Sequence, residues 1–153
     1  MPLPIMLTLA FAVSLWAPPA FPQSNLGELL DTGAKKLSAE EFKEQVVQRV
    51  IVGPTPTGGN LELMYATNGM VQGIGSSTEH SISVAPVSGE WTIDDNGRIC
   101  TSMRMGAGGG ASPGLGITLP PRCQFWFKYA EQYFFSDSDS DRRARVLRRT
   151  IKQ

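Results

Sequence analysis

The sequence predicts a mainly β fold: a small antiparallel meander of about seven or eight short strands, barrel-like or strongly bent, with one N-terminal amphipathic helix. Short runs that alternate apolar and polar residues, such as 90–94, recur along the chain and have the period of half-buried strands. The pairs Asn68-Gly69 and Asn96-Gly97 tolerate the positive φ angles of tight hairpin turns. A content of 16 glycines and 11 prolines also favours a chain rich in turns over a helix bundle.

The size and charge of the chain limit its class. A length of 153 residues predicts one domain, and 41% hydrophobic residues are enough for a core. The 14 basic residues balance the 14 acidic ones, so the formal net charge is zero. Because this balance gives no overall attraction to polyanions, we expect no nucleic-acid partner.

The N-terminus has the pattern of an export signal. Residues 1–23 carry no charge, and 5–16 form an apolar run of the length found in signal peptides. The run is short for a membrane span and is followed by prolines, although the usual basic residues before it are missing. We therefore predict a cleaved signal peptide at 1–23, a periplasmic or secreted mature protein, and no transmembrane span after cleavage. A retained anchor and a cytosolic N-terminus are the alternatives.

A helix follows a polar stretch. Residues 24–36 are predicted as a flexible lead-in, and 37–153 as a single β-rich domain. Ser38 can cap the helix, and Glu41 three residues later can complete a capping box. Phe42 begins an apolar stripe, so the helix is expected to lie on the β core as a lid, with a partner-binding helix as the alternative.

The strands follow in sequence. Runs at 61–66 and 70–75 form a predicted hairpin around Asn68-Gly69. Pro86 is expected to end a short strand, because proline cannot donate to a sheet ladder. A separate strand then carries Trp91 into the next hairpin.

The strand at 122–129 has aromatic residues on both faces. Phe125 shares a face with Cys123, whereas Trp126 points to the opposite face. Trp126 is therefore expected to be exposed or to lie under the helix. After the strand at 132–135 and a run of Ser and Asp, a basic strand at 144–151 closes the chain.

The chain has two cysteines, Cys100 and Cys123. In an exported protein such a pair favours one disulfide, with two buried free thiols as the alternative. A metal site needs more ligands than these cysteines and the single histidine, His80, can supply. We expect neither a metal nor a cofactor.

Candidate binding residues lie in a glycine-rich loop, in the basic C-terminal strand and at Trp126. The loop at 106–116 is long, and long loops in compact domains are often functional. The basic residues could bind an anionic partner, or they could simply prevent edge-to-edge aggregation of an edge strand. The candidate partner-binding residues are Gly108, Gly109, Gly110, Trp126, Arg145, Arg148 and Arg149.

The sequence gives little support for catalysis. It has no His-Glu-x-x-His motif, and His80 is a lone imidazole in a polar stretch. We therefore expect a protein that is not an enzyme and has no catalytic residues. A hydrolase that uses His80 is the outside alternative.

One ordered set of motifs resembles a family of small exported proteobacterial proteins of unknown function. The resemblance covers about residues 37 to 151 and implies export, a disulfide and a compact β fold, but no activity. It depends on Tyr65, Asn68-Gly69, Gly73, Gly89-Glu90-Trp91, Asn96-Gly97-Arg98-Ile99-Cys100, Cys123 and Tyr133.

Together these patterns predict an exported, non-enzymatic binding or accessory protein of the bacterial envelope. Its partner would be an envelope protein or an anionic surface component, and the chain is expected to be a monomer. The alternative is a lipocalin-like carrier, which would hold a small apolar ligand between inward aromatic residues such as Phe125.

Overall fold

The computed structural model describes residues 24–55, 58–79, 81–106 and 116–152; the predicted signal peptide at 1–23 lies outside them. The described ranges contain two helices and ten strands: α1 Leu26–Asp31, β1 Lys35–Lys36, α2 Ala39–Gln45, β2 Val50–Pro54, β3 Asn60–Tyr65, β4 Met70–Ser77, β5 Ile82–Ile93, β6 Arg98–Met105, β7 Ile117–Thr118, β8 Arg122–Tyr129, β9 Gln132–Ser136 and β10 Val146–Ile151.

Eight of these strands form a closed antiparallel barrel. Their order is β2-β3-β4-β5-β6-β8-β9-β10, and β10 pairs with β2 to close the ring. The short strands β1 and β7 pair with β8 and β6. Because each barrel strand lies beside the next one along the chain, with only the two-residue β7 intervening, the predicted barrel-like meander is confirmed.

The hairpin turns lie where the sequence places them, but β5 is longer than predicted. Gly69 has a φ of 83° between β3 and β4, and Gly97 has a φ of 75° between β5 and β6. Pro86 does not end its strand, because β5 continues through it. Its carbonyl accepts a 2.8 Å hydrogen bond from the N–H of Gly106, just past the end of β6 at Met105. The nitrogen of Pro86, which has no hydrogen to donate, therefore points to the end of β6, where few hydrogen bonds of the sheet are lost.

Helix α2 closes one end of the barrel. The predicted capping box of Ser38 and Glu41 is present. Phe42 is fully buried, and its ring centroid lies 5.5 Å from that of Tyr65, 5.4 Å from Trp126 and 5.7 Å from Trp91. The predicted position of the helix on the β core is thus confirmed.

Helix α1 occupies the stretch that the sequence predicts as a flexible lead-in. Leu26 and Leu29 are fully buried and pack with Phe127 and Phe134 on the outer face of β8 and β9. The helix covers aromatic rings that a barrel would otherwise expose to water, which is why this stretch is ordered. Neither helix of the described chain is long and apolar enough to span a membrane.

On β8, Trp126 faces the interior of the barrel and Phe125 faces outward. Trp126 is only 2% exposed and belongs to the interior cluster, whereas Phe125 packs with the outer cluster under α1. The expectation of an inward Phe125 is therefore wrong. Of the two positions expected for Trp126, the one under the helix is observed.

The predicted disulfide is present. Cys100 on β6 is bonded to its register partner Cys123 on β8. The bond joins the two strands that flank the connection containing β7.

Candidate functional site

The barrel contains a pit at the end away from α2. Its cavity measures about 60 Å³, which is room for roughly four water molecules. The floor is formed by Tyr65 and Trp126, both of which contact Phe42 of α2 on their other side. The walls are mostly apolar and come from Ile51, Leu61, Leu63, Met103 and Phe135.

Arg149 is a buried cation beside this pit. Only 7% of its surface is exposed. Its Nη1 donates hydrogen bonds to the carbonyl oxygens of Pro54, at 2.6 Å, and Arg148, at 3.0 Å, and its guanidinium carbon lies 4.2 Å from the ring centroid of Phe135. Burial lowers the pKa of Arg149 to about 10, and the nearby phenol of Tyr65 opposes that shift. The side chain is still a cation at neutral pH.

Trp126, whose ring lines the pit, carries a donor without a partner in the described residues. Its indole Nε1–H is buried and has no hydrogen-bond acceptor in the described part of the chain. The other buried tryptophan, Trp91, differs in this respect, since its Nε1–H donates a 2.8 Å hydrogen bond to the carbonyl of Ala66. Buried indole N–H groups usually find a partner, so the position of Trp126 is unusual.

Tyr65 completes the floor as a neutral phenol. Burial raises its pKa to about 12, and the charge of Arg149 lowers it in part. At neutral pH the hydroxyl is therefore protonated and can donate as well as accept.

The mouth of the pit carries a second arginine, paired with a carboxylate. Arg122 and Gln124 line its outer part. Arg122 lies 3.7 Å from the carboxylate of Asp137, and the amide of Gln124 donates a 3.4 Å hydrogen bond to the same carboxylate. No acidic side chain lines the pit itself within the described residues.

The predicted site residues are divided among three places. Trp126 and Arg149 come together, but inside the barrel and not on an outer surface. Arg145 and Arg148 are exposed on the outside. The glycines at 108–110 lie outside the described residues, as does His80.

Sequence reasoning missed Tyr65 and Thr101 as members of the site. Both lie on the inward face of their strands, and Thr101 lines the pit from β6. The available signal was that a polar Thr101 falls on the same face as the apolar Ile99 and Met103.

The outer face of β2–β5 is a second concave surface. Ile74 and Val84 are large apolar residues, 48% and 62% exposed. Ile74 borders a groove of about 540 Å³, and both residues border an adjacent one of about 180 Å³. An ion pair of 3.2 Å between Lys152 and Glu62 borders the groove.

In the described ranges, no three metal-ligating side chains converge. Comparison of the chain with protein-family models, curated proteins and solved structures gives no match, so the function has to be argued from the site itself.

Proposed function

We propose that this chain is an exported, non-enzymatic binding protein of the bacterial envelope that engages its partner at the pit end of the barrel. The observation that carries the proposal is the polar lining of the pit: the Arg149 guanidinium and the ring of Trp126, whose indole N–H has no partner in the described residues, line a cavity that has no acidic side chain in its described lining. Buried donors of this kind are satisfied when a ligand supplies the acceptor.

Two observations support export. The Cys100–Cys123 disulfide fits a non-cytoplasmic location, because such bonds persist in oxidising compartments. The uncharged segment at 1–23 has the apolar run of a signal peptide.

The size of the cavity favours recognition of a partner over transport of an apolar cargo. Pockets that enclose small molecules usually measure about 300 to 1,000 Å³. A cavity of about 60 Å³ accepts one small group, and the rest of the bound molecule has to stay at the mouth. The interior space that a carrier would use is occupied by the rings of Tyr65, Trp126 and Phe135.

The first experiment tests where the partner binds. A photoreactive amino acid replaces exposed Thr118, beside the pit mouth on β7, or exposed Asp95, in the β5–β6 turn at the α2 end. After irradiation of intact cells, we expect a discrete crosslinked species with the probe at position 118 and none with the probe at 95. Equal crosslinking at both positions, or crosslinking at 95 alone, would contradict binding at the pit end.

A second experiment tests export. The full-length gene is expressed in a Gram-negative host, and the intact mass of the protein is measured from each cell fraction. We expect a periplasmic or secreted product that lacks the N-terminal segment and is lighter by two hydrogens. A full-length cytosolic product with free thiols would exclude the envelope as its compartment.

A further inference from the structure

We infer that the pit is a binding site for a carboxylate group on an apolar stem, with Arg149 and the indole N–H of Trp126 as the groups that hold it. The inference rests on the proposed function and deepens it by assigning the chemical class of the ligand. The carboxylate could belong to a short organic acid or to the C-terminus of a polypeptide, since both present the same group.

The free edge of Arg149 fits a carboxylate. Both hydrogen bonds that its guanidinium makes within the described chain come from Nη1. The Nε–H and one side of Nη2 form a fork that matches the two oxygens of a carboxylate. No aspartate or glutamate of the described ranges lies within ion-pair distance of this guanidinium.

Trp126 adds an independent reason to expect an acceptor. Its indole is 2% exposed and lines the same cavity, yet its Nε1–H has no partner in the described residues. A donor left unpaired in an apolar environment is costly, and an indole N–H can only donate. A ligand that reaches this N–H has to offer it an acceptor.

The size and charge of the pit select a carboxylate over larger anions. The space of about 60 Å³ holds a planar carboxylate with one or two carbons behind it. A dianionic phosphate would bring two charges to one buried cation, and desolvation would oppose it. The apolar walls of Leu61, Leu63 and Met103 suit the stem of the ligand.

Arg149 also has a structural task, which the test has to separate from binding. Its Nη1 bridges β10 to the end of β2 at Pro54, and Gly53 leaves room for it: a Cβ at that position would lie 2.6 Å from Nη1. This bridge uses one nitrogen only. Arg148, next along β10, points outward and is exposed, so it provides a matched control.

The test is an NMR titration of the oxidised, ¹⁵N-labelled mature protein, read at the indole N–H signals. The probes are hexanoate, its uncharged analogue hexanol, and one short peptide ending in leucine with a free or an amidated C-terminus; inorganic phosphate is the last probe. We expect hexanoate or the free-acid peptide to shift the indole signal of Trp126. The signal of Trp91 should stay in place, because its N–H is already bonded to Ala66.

The comparison between probes identifies the source of the carboxylate. A response to hexanoate alone assigns a small organic acid, and a response to the free-acid peptide alone assigns a polypeptide C-terminus. An unmoved Trp126 signal with every carboxylate would overturn the inference. An equal response to hexanol, to the amidated peptide or to phosphate would overturn it as well.

Two variants complete the test. Arg149→Met should weaken carboxylate binding by at least about tenfold, since a charge-assisted bidentate contact is lost. Arg148→Met removes one positive charge from the same strand and should leave the affinity unchanged; an equal loss in both variants would contradict a role for Arg149.

If Arg149→Met does not fold, Trp126→Phe, measured by calorimetry, should bind the carboxylate several-fold more weakly than the parent. Failure of carboxylate binding together with crosslinking at position 118 would refute this inference and leave the proposed function standing.

Discussion

At the scale of single residues, the most consequential feature is a cation inside an apolar barrel. Arg149 is tolerated there because two backbone carbonyls and the face of Phe135 replace part of its hydration. These neutral partners do not neutralise its charge. A buried charge without a counter-charge is costly, and such features in natural proteins often mark sites of function.

Tyr65 gives a prediction about pH. Burial raises the pKa of its phenol to about 12 from an ordinary value of 10, so the folded protein keeps this proton at a pH where the unfolded chain has lost it. The contribution of Tyr65 to stability is therefore fully present below pH 10 and is lost as the pH rises towards 12. Relative to Tyr65→Phe, the parent should lose about 2 to 3 kcal/mol of unfolding free energy across this window.

Urea denaturation of both proteins at several pH values between 9 and 12 measures this difference directly. The ionisation of lysines and of the other tyrosines is common to both proteins and cancels in the comparison. Parallel stability curves for the parent and Tyr65→Phe would show that the phenol of Tyr65 does not have the raised pKa.

The inward position of Arg149 and Trp126 could not be read from the sequence. Both lie on strands with apolar residues on their two faces, so alternation does not show which face is the interior. The outer face is apolar because α1 covers it, as the burial of Phe127 and Val146 shows. The missed α1 and the wrong side assigned to Phe125 therefore have the same cause.

At the scale of secondary-structure elements, α1 is held by packing more than by charge. Leu29 is fully buried in the outer cluster, whereas the 2.7 Å ion pair of Asp31 with Arg142 is exposed to solvent. Leu29→Ala should lower the unfolding free energy by about 2 to 4 kcal/mol. Asp31→Asn should lower it by less than about 1 kcal/mol, because exposed ion pairs contribute little.

Chemical denaturation followed by tryptophan fluorescence gives both values for the α1 variants. Hydrogen exchange adds a local measurement, because the amide of Leu26 donates a 2.8 Å hydrogen bond to the carbonyl of Ala144 and should exchange faster in Leu29→Ala. A stability unaffected by Leu29→Ala would mean that the helix is not docked.

Some glycines of the barrel lie where two strand backbones approach each other. A Cβ on Gly89 of β5 would collide with the carbonyl oxygen of Ser102 on β6. Gly89→Ala should therefore cost about 2 to 4 kcal/mol in unfolding free energy, because the backbone of a closed barrel cannot move aside. At Gly106 the nearest atom to an added Cβ is 3.4 Å away, so Gly106→Ala is the matched control and should change stability by less than about 1 kcal/mol.

Thermal unfolding of the two alanine variants, followed by circular dichroism, provides this comparison. Similar melting temperatures for Gly89→Ala and Gly106→Ala would show that close approach of the strands is not what requires glycine at position 89.

At the scale of the whole molecule, local signals predict the meander, and closure follows from contacts that are distant in sequence. Turn pairs such as Asn68-Gly69 fix which strands are neighbours, because they connect strands directly. The pairing of β10 with β2 joins the two ends of the meander through Thr150 and Ile151, and no local pattern encodes it. This is why the sequence predicts a barrel or a bent sheet without deciding between them.

A long connection joins β6 to β8, and the disulfide between these two strands stabilises the fold by closing it. Cys100 and Cys123 are separated by 23 positions, and their bond removes the entropy that the unfolded chain would gain from opening this loop. The double variant Cys100→Ser, Cys123→Ser should lose about 3 kcal/mol of unfolding free energy.

Urea denaturation with and without a reductant tests this expectation. The reduced parent should match the double variant, and the reductant should not change the stability of the variant itself. Below its denaturation midpoint the variant should still bind carboxylate, because the residues that line the pit do not include either cysteine. Equal midpoints for the oxidised parent and the double variant would mean that the pairing of β6 with β8 holds this side of the barrel without covalent help.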